Sequence, residues 1–574
     1  MTVYLDCEGV IELLERAEYV ALDTETSGED IRDGRGYLVG LSVAYGELSG
    51  YLPIRHINEL DGSNTNLTDD ERYRLTKAIE NYKGWLIFHN SKFDLESLRS
   101  AGINYTGKFY DTMLMAHLIN ENKPYTKSLD GCTKHYVGKD SKKKSEAFLA
   151  AQKIWGWNMP ASVMYEYAAY DAVLTFRLFE AIKPLFDEEE LAETWEHKQK
   201  FVRTIIAMER RGVRVDTTLA KRMQIHGEMI MDDIREELKL NPGSTKDLKV
   251  LLIDKLGLPV VKTTPAGAPS FDKEAMAVYD RALELQENHT AELITAYRGW
   301  QKSVSSNYIP YQELLSPDGR LRPNYKLHGT ITGRMSCEKP NLQQIPRSGD
   351  KAWNGEMKST FIPEEGYELY EADYSQLELR LGTAYAGEEG LKRIFAEGRD
   401  VFTEMSNDLG MSRQNTKTLV YTIQYGGGIN RISTVFAVSR ERAEQLRENY
   451  FSTYPGFHSV AMVATQKAKH VGKLKLWSGR YRHFLYPREE AHKAFNSVIQ
   501  GGAADIVERT MVRCFESVDN DEECRMLLQV HDSIVWEIKR DMVDKYLPMI
   551  KEAMTNIEPD FGVTFAVDIH KFGE

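Results

Sequence analysis

The chain has 574 residues, 42% of them hydrophobic and 28% charged, with a formal net charge of −13. That length exceeds one ordinary core, so two or more packed units are expected. No apolar run approaches the roughly 20 residues that cross a bilayer, which argues against any association through a membrane span. Five scattered cysteines without a Cys-x-x-Cys spacing suggest neither a disulfide framework nor a zinc site.

Met1 to Leu14 carries Asp6, Glu8 and Glu12, with no basic start and no small-residue cleavage site, so a cytoplasmic chain without a leader is expected. Residues 1–185 alternate short apolar strands, at Tyr19–Leu22, Leu38–Val43 and Trp85–Phe88, with helical stretches near 92–100 and 111–120, which predicts an α/β layer fold. From about 186 to 310 the pattern turns helical and charged, broken by loops at Asn241–Thr245 and Thr264–Pro269, as in an elongated helical arm. Strand-like segments at Glu368–Asp373, Leu527–Val530 and Ile534–Ile538 flank a mainly helical block from about 377 to 515, so a sheet is interrupted by a helical insertion. Lys142-Lys143-Lys144 reads as an exposed basic loop.

An acidic chain is a poor polyanion binder unless its cations gather locally. Between Glu448 and Glu489 there is no acid, while Lys467, Lys469, Lys473, Lys475, Arg480, Arg482 and Arg488 accumulate beside Tyr454, Trp477 and Tyr481. This predicts a surface that contacts nucleic acid; a solvated helix face is the alternative for such a run taken alone.

Asp23 and Glu25 end an apolar strand two residues apart, so the pleat points both carboxylates to one face. Asn90-Ser91-Lys92-Phe93-Asp94 puts Asp94 near the first turn of a helix, and Tyr167 and Asp171 lie four apart on one helical face. Singly, these are also explained as a polar strand end, an acid complementing a helix dipole and an ordinary surface pair. Their order and spacing resemble the three motifs of the DnaQ-like 3′→5′ exonucleases, whose fold is ribonuclease H-like. The resemblance implies that Asp23, Glu25, Asp94 and Asp171 bind two divalent ions and that Tyr167 orients the attacking water, with Mg²⁺ preferred and Mn²⁺ a substitute.

A second acidic set follows. Asp373 ends a strand that turns helical, and Asp532 sits at the tip of a polar turn between two apolar strands. Between them Arg413, Lys417, Tyr421 and Tyr425 fall at steps of four, about 40° apart round a helix, forming one cationic and aromatic stripe. An amphipathic helix margin explains that stripe equally well on its own. The three segments in this order resemble motifs A, B and C of the family A DNA polymerases. Thr332–Ser336, Pro340–Pro346 and the segment from Asn496 to Gln500 match further elements, and the resemblance covers nearly the whole chain.

The resemblance implies a right-hand α+β domain over residues 186–574, with a thumb at about 186–310, a palm at 311–384 and 491–574, and fingers at 385–490. It implies that Asp373 and Asp532 hold two Mg²⁺ ions, that Arg413 and Lys417 grip the triphosphate, with Lys417 also a proton donor to pyrophosphate, and that Glu378 excludes a ribose 2′-hydroxyl. Tyr425 is expected near the templating pair. Arg334, Asn341, Gln343, Asn496, Gln500 and His531 are expected to bind primer-template DNA without reading its sequence. Tyr421 stands where many relatives carry Phe, which implies weaker exclusion of dideoxynucleotides. Ser533 stands where the family's motif C usually continues with Glu, so one carboxylate of the pattern is absent.

No 5′-nuclease segment is seen before residue 1 and no thioredoxin-recruiting block in the helical arm, which points to a compact phage-type replicative enzyme in a host cytoplasm. Primer-template DNA and dNTPs are the expected partners, with helicase, primase and single-strand binding protein as replisome candidates. A single-subunit RNA polymerase and a DNA-binding subunit with a decayed site are the rival readings; Glu378 opposes the first and the retained acids oppose both.

Overall fold

The computed structural model describes residues 3–123, 125–138, 145–346, 356–557 and 559–573; the Lys142-Lys143-Lys144 run lies outside them. The N-terminal unit is a six-stranded sheet of β1 (Val3–Tyr4), β2 (Tyr19–Thr26), β3 (Leu38–Tyr45), β4 (Leu48–Pro53), β5 (Trp85–Phe88) and β6 (Lys108–Asp111). Its spatial order is β1-β4-β3-β2-β5-β6, with β2, β5 and β6 parallel and β3 antiparallel to both its neighbours. The parallel strands carry apolar stretches, Tyr19–Leu22 in β2 and Trp85–Phe88 in β5, that helices cover. Those helices include α1 (Ser91–Ser100) and the 28-residue α2 (Ala161–Glu188). Ala168, Ala169 and Ala172 are buried in α2, and such small side chains bring its axis close to the sheet.

Helix α3 (Ala192–Arg211) follows at once and joins the two halves of the molecule. Its Trp195 is almost fully buried, donates its indole N–H to Phe109 O at 2.8 Å and stacks on Tyr110. One apolar core therefore runs from the N-terminal sheet through α3 into the second sheet. The charged arm contains α4 (Thr217–Leu238), capped by the Asp216 carboxylate, and α5 (Thr290–Ser303). The two helices meet where a Cβ on Gly227 would stand 2.5 Å from the Trp300 ring, so only glycine permits the approach. The arm has its own small core around Leu252, Tyr279 and Ile294.

The second sheet comes from both ends of the remaining chain: β7 (Tyr367–Tyr374), then, after the helical insertion, β10 (Cys524–Val530), β11 (Ser533–Lys539) and β12 (Val567–Lys571), ordered β10-β11-β7-β12 and antiparallel throughout. The alternation of β7 turns Tyr370, Ala372 and Tyr374 to one face. The Tyr374 hydroxyl donates to Met554 O at 2.6 Å in α10 (Val543–Thr555) and pairs with Thr510 Oγ1 at 2.7 Å in α9 (Ala494–Ser517). Glu371 and Asp373 are thereby left on the opposite face. The insertion holds α6 (Leu377–Ala386), α7 (Arg413–Gln424) and α8 (Pro455–Val471) around a separate core that includes Leu419, Tyr450 and Phe457. It also holds a short hairpin, β8 (Lys473–Lys475) with β9 (Tyr481–His483), inside the stretch expected to be helical. Among the described residues no helix is long and apolar enough to cross a membrane.

Candidate active sites

Strand β2 sets Asp23 opposite Ser42 and Glu25 opposite Gly40 of β3. Asp94, in the first turn of α1, is drawn onto the same strand: its Oδ1 accepts from Thr24 N at 3.1 Å and Thr24 Oγ1 at 2.7 Å. Asp171 enters from α2. The structure thus brings the four acids into one field: burial, then Asp94, Glu25 and Asp171, push the Asp23 carboxyl well above the ordinary range. Burial raises Asp94 to about 8, and the Tyr167 hydroxyl is pushed up by burial and then by Asp171, Glu25 and Asp23.

The charges acting most strongly on Asp23 are all negative, and such a set is relieved by divalent cations with a preference for hard oxygen ligands. The residues fit that role by their donor chemistry. Among the described residues no group of three or more His, Cys, Asp or Glu side chains is already arranged to hold a metal ion.

The sequence reading passed over two neighbours of this site. Tyr51 of β4 stands in register with Ser42, and its hydroxyl occupies the space above Gly40: a Cβ there would lie 2.1 Å from it. The hydroxyl is 2.6 Å from His56 Nε2, and His56 Nδ1 is 2.5 Å from Met159 O. A carbonyl only accepts, so Nδ1 carries the proton and Tyr51 donates to Nε2. The signal was a Tyr-x-Pro-x-x-His run at a strand end, which has no charge pattern to advertise it.

In the second sheet, Asp373 lies opposite Ser533 of β11 and Asp568 of β12. Asp532 occupies the β10–β11 turn beside it, where His531 adopts a left-handed backbone with φ 56° and Tyr374 N donates to Asp532 O at 3.4 Å. Arg334 bridges the cleft, 2.6 Å from Glu378 Oε1 and 3.5 Å from Asp532 Oδ1. Burial raises Glu378 against the opposing effect of Arg334, and the Tyr425 hydroxyl faces the same carboxylate.

The stripe along α7 is as spaced: Tyr421 and Tyr425 have ring centroids 5.7 Å apart, with Tyr425 just past the helix end, while Arg413 is held 2.5 Å from Asp400 Oδ2. Arg334, Asn341, Gln343, His531 and Asp532 line one cleft. Within it Gln343 Nε2 donates to Gln529 Oε1 at 2.5 Å and Gln529 donates to His531 O. Asn496 and Gln500 sit one turn apart on α9 at 3.5 Å. Glu371 and Asp568 were not singled out from sequence; the pleat and the strand register place them beside Asp373.

The cationic run between Glu448 and Glu489 is a correction. Arg482 pairs with Glu121 at 2.9 Å and both are buried, Lys473 reaches Glu189 at 2.5 Å, Lys475 approaches Glu190 at 3.4 Å, and Arg480 is buried on Asp505 at 2.9 Å. Glu121 belongs to the N-terminal unit, and Glu189 and Glu190 lie in the link between α2 and α3. Tyr454 is buried with its hydroxyl on Asp408, and Trp477 donates to Gly502 O. The run therefore serves mainly to dock two parts of the chain; Lys467, Lys469 and Arg488 are the exposed cations left for a polyanion.

Residues 211–573 match the model of DNA polymerase family A, and residues 4–187 match that of a 3′-5′ exonuclease family. The chain belongs to DNA polymerase family A and carries a 3′-5′ exonuclease domain ahead of its polymerase domain. Both families are generally dependent on divalent metal. It is 29% identical to DNA polymerase I of Pseudomonas aeruginosa over 95% of this chain and 62% of that protein, and 32% identical to the thermostable DNA polymerase I of Thermus filiformis over 69% and 49%. The chain thus spans about half to three fifths of the length of these curated relatives. The fold is that of the POL domain of Pol1 from M. smegmatis, solved with DNA primer-template and dNTP, at a TM-score of 0.81 and 22% identity over 96% of this chain and 94% of that one.

Proposed function

We propose that the chain is a template-directed DNA polymerase that proofreads its product with a 3′→5′ exonuclease, using primer-template DNA and dNTPs in the cytoplasm. The observation that carries this reading is the pair of acidic centres, one on β2 with α1 and α2, the other on β7 with the β10–β11 turn, each inside a segment matched by the corresponding family model. The reading divides the chain near residue 185.

In the polymerase centre Asp373, on β7, and Asp532, in the adjoining β10–β11 turn, would hold the cations, and Arg334 keeps Glu378 and Asp532 in place across the cleft. Glu378, buried and fixed by Arg334, presents a rigid wall where a ribose 2′-hydroxyl would lie. Arg413 and Lys417 meet the triphosphate, which requires Arg413 to leave Asp400. Tyr425 closes on the new pair, and Asn341, Gln343, Asn496, Gln500 and His531 contact the primer-template. In the exonuclease centre Asp23, Glu25, Asp94 and Asp171 are the ligand set and Tyr167 orients the attacking water. Mg²⁺, or Mn²⁺ in its place, supplies an activated oxygen nucleophile and charge neutralisation when bound. Helicase, primase and single-strand binding protein are the replisome partners of this reading.

Extension of a primed template by dNTPs tests it. Asp373→Ala is expected to abolish extension and spare excision, and Asp23→Ala to do the reverse. Failure of the intact chain to extend removes the reading, preference for rNTPs selects an RNA polymerase, and loss of both activities in either folded variant removes the two independent centres.

A further inference from the structure

The absent carboxylate after Asp532 has a counterpart elsewhere in the sheet. Ser533 Oγ lies 2.8 Å from Glu371 Oε1, and the other oxygen of Glu371 accepts from Lys358 Nζ at 2.6 Å, with His570 Nε2 at 3.3 Å. Glu371 sits on β7 two residues before Asp373, so the pleat gives both the same face. Ser533 and Glu371 are both nearly inaccessible, at 2% and 6% exposure. The single Ser533 proton has two acceptors within reach, Glu371 and Val530 O at 2.9 Å. The ionised partner wins, because a charge-assisted bond is roughly twice as strong as a neutral one.

That bond matters because of where it is made. Ser533 directly follows the turn residues His531 and Asp532, and His531 is held in a left-handed backbone that a non-glycine residue seldom adopts, so the surroundings must fix it. Besides the strand pairing of Asp373 with Ser533, Tyr374 N reaches Asp532 O at a long 3.4 Å. Ser533 to Glu371 is the short one, and Lys358 anchors Glu371 from behind.

We propose that Lys358, Glu371 and Ser533 form a positioning triad that holds the Asp532 turn at a fixed distance from Asp373, doing with a hydroxyl and a displaced, neutralised carboxylate what an acid after Asp532 would do. The inference rests on the reading of Asp373 and Asp532 as the polymerase ligands. Lys358 and Ser533 each hold one oxygen of Glu371, which acts through Ser533 rather than on substrate or cation. The centre then carries two ligand carboxylates and is sensitive to their spacing.

The test uses the full chain with Ser533→Ala, Glu371→Gln and the double variant. Each single change is expected to lower the extension rate about tenfold with little change in dNTP KM, and the double variant to be no slower than either, because both remove the same bond. In an Asp23→Ala background, with primer-template bound, Mn²⁺ affinity measured by electron paramagnetic resonance is expected to fall about tenfold in both single variants. Excision by the variants in the otherwise natural chain checks their folding. Should Glu371→Gln lose excision too, Ser533→Ala decides alone, since it removes one oxygen and no packing. Additive losses, or Ser533→Ala with natural extension and Mn²⁺ affinity, overturn the triad. Failure of the natural chain to extend overturns instead the reading beneath it.

Discussion

Asp94 is the residue in which burial and repulsion are most legible. Its carboxyl, raised by burial to about 8, keeps its proton in the folded, metal-free chain long after the unfolded carboxyl has lost its own near 3.8. Between those values the folded state binds more protons, so this group makes the metal-free protein less stable as pH rises through that window. Asp94→Asn preserves an oxygen for Thr24 and removes the charge. With chelator present, its thermal midpoint is expected to exceed that of the natural chain by several degrees at pH 8 and to converge with it near pH 4; a gap that widens toward acid contradicts the argument. Added Mg²⁺ is expected to stabilise the natural chain more at pH 8 than at pH 6, because the acids must be ionised to bind it. At the other centre, Tyr421→Phe is expected to lower dideoxynucleotide incorporation relative to dNTP at least tenfold, about 1.4 kcal/mol of discrimination. A gel-based termination assay checks this.

At the scale of elements, the β8–β9 hairpin shows how a charge run is misread. Lysines and arginines alternating with aromatics look alike in sequence whether they face a polyanion or the acids of a distant segment of the same chain. Here the acids are Glu121, Glu189 and Glu190, roughly 285 to 360 residues away in the chain. Arg482 and Glu121 are both nearly inaccessible, so Glu121→Gln leaves a buried guanidinium without its counter-charge. That is expected to cost about 3–5 kcal/mol of stability. Denaturant titration measures it, and a loss below about 1 kcal/mol, the range of a surface pair, would show that the interface is wet. Replacing exposed Lys467 is expected to leave stability unchanged and to weaken DNA binding, with a shallower salt dependence.

At the scale of the molecule, the two centres are joined by a buried polar path. Lys92, two residues before Asp94, donates to Glu209 Oε1 at 2.5 Å, to Asn324 Oδ1 and Tyr325 O at 2.7 Å, and burial lowers its pKa to about 8. The Tyr325 hydroxyl accepts from Gln529 N at 3.2 Å, and Gln529 in turn donates to His531 O beside Asp532. Lys92→Met strips three bonds from the start of α1. It is expected to slow excision by tenfold or more while extension falls less, because Arg32 still pairs with Glu209 at 2.7 Å and the far end of the path keeps its bonds. Both rates on one mismatched primer test the order of the losses.

By itself the sequence determined the alternation of strand and helix around Asp23, Asp94, Asp171, Asp373 and Asp532, and the single face shared by Arg413, Lys417 and Tyr421. These follow from periods of two and 3.6 residues, which are local properties of the backbone. The short hairpin at 473–483 escaped because a few residues carry no period. Only the tertiary structure decided what meets across long stretches of chain. It set Asp94 on Thr24, Tyr51 over Gly40 and Glu121 on Arg482, and it placed Glu371 against the Ser533 that follows Asp532. Such pairings depend on strand register and on the burial of each charge, and neither is encoded within a window of neighbouring residues.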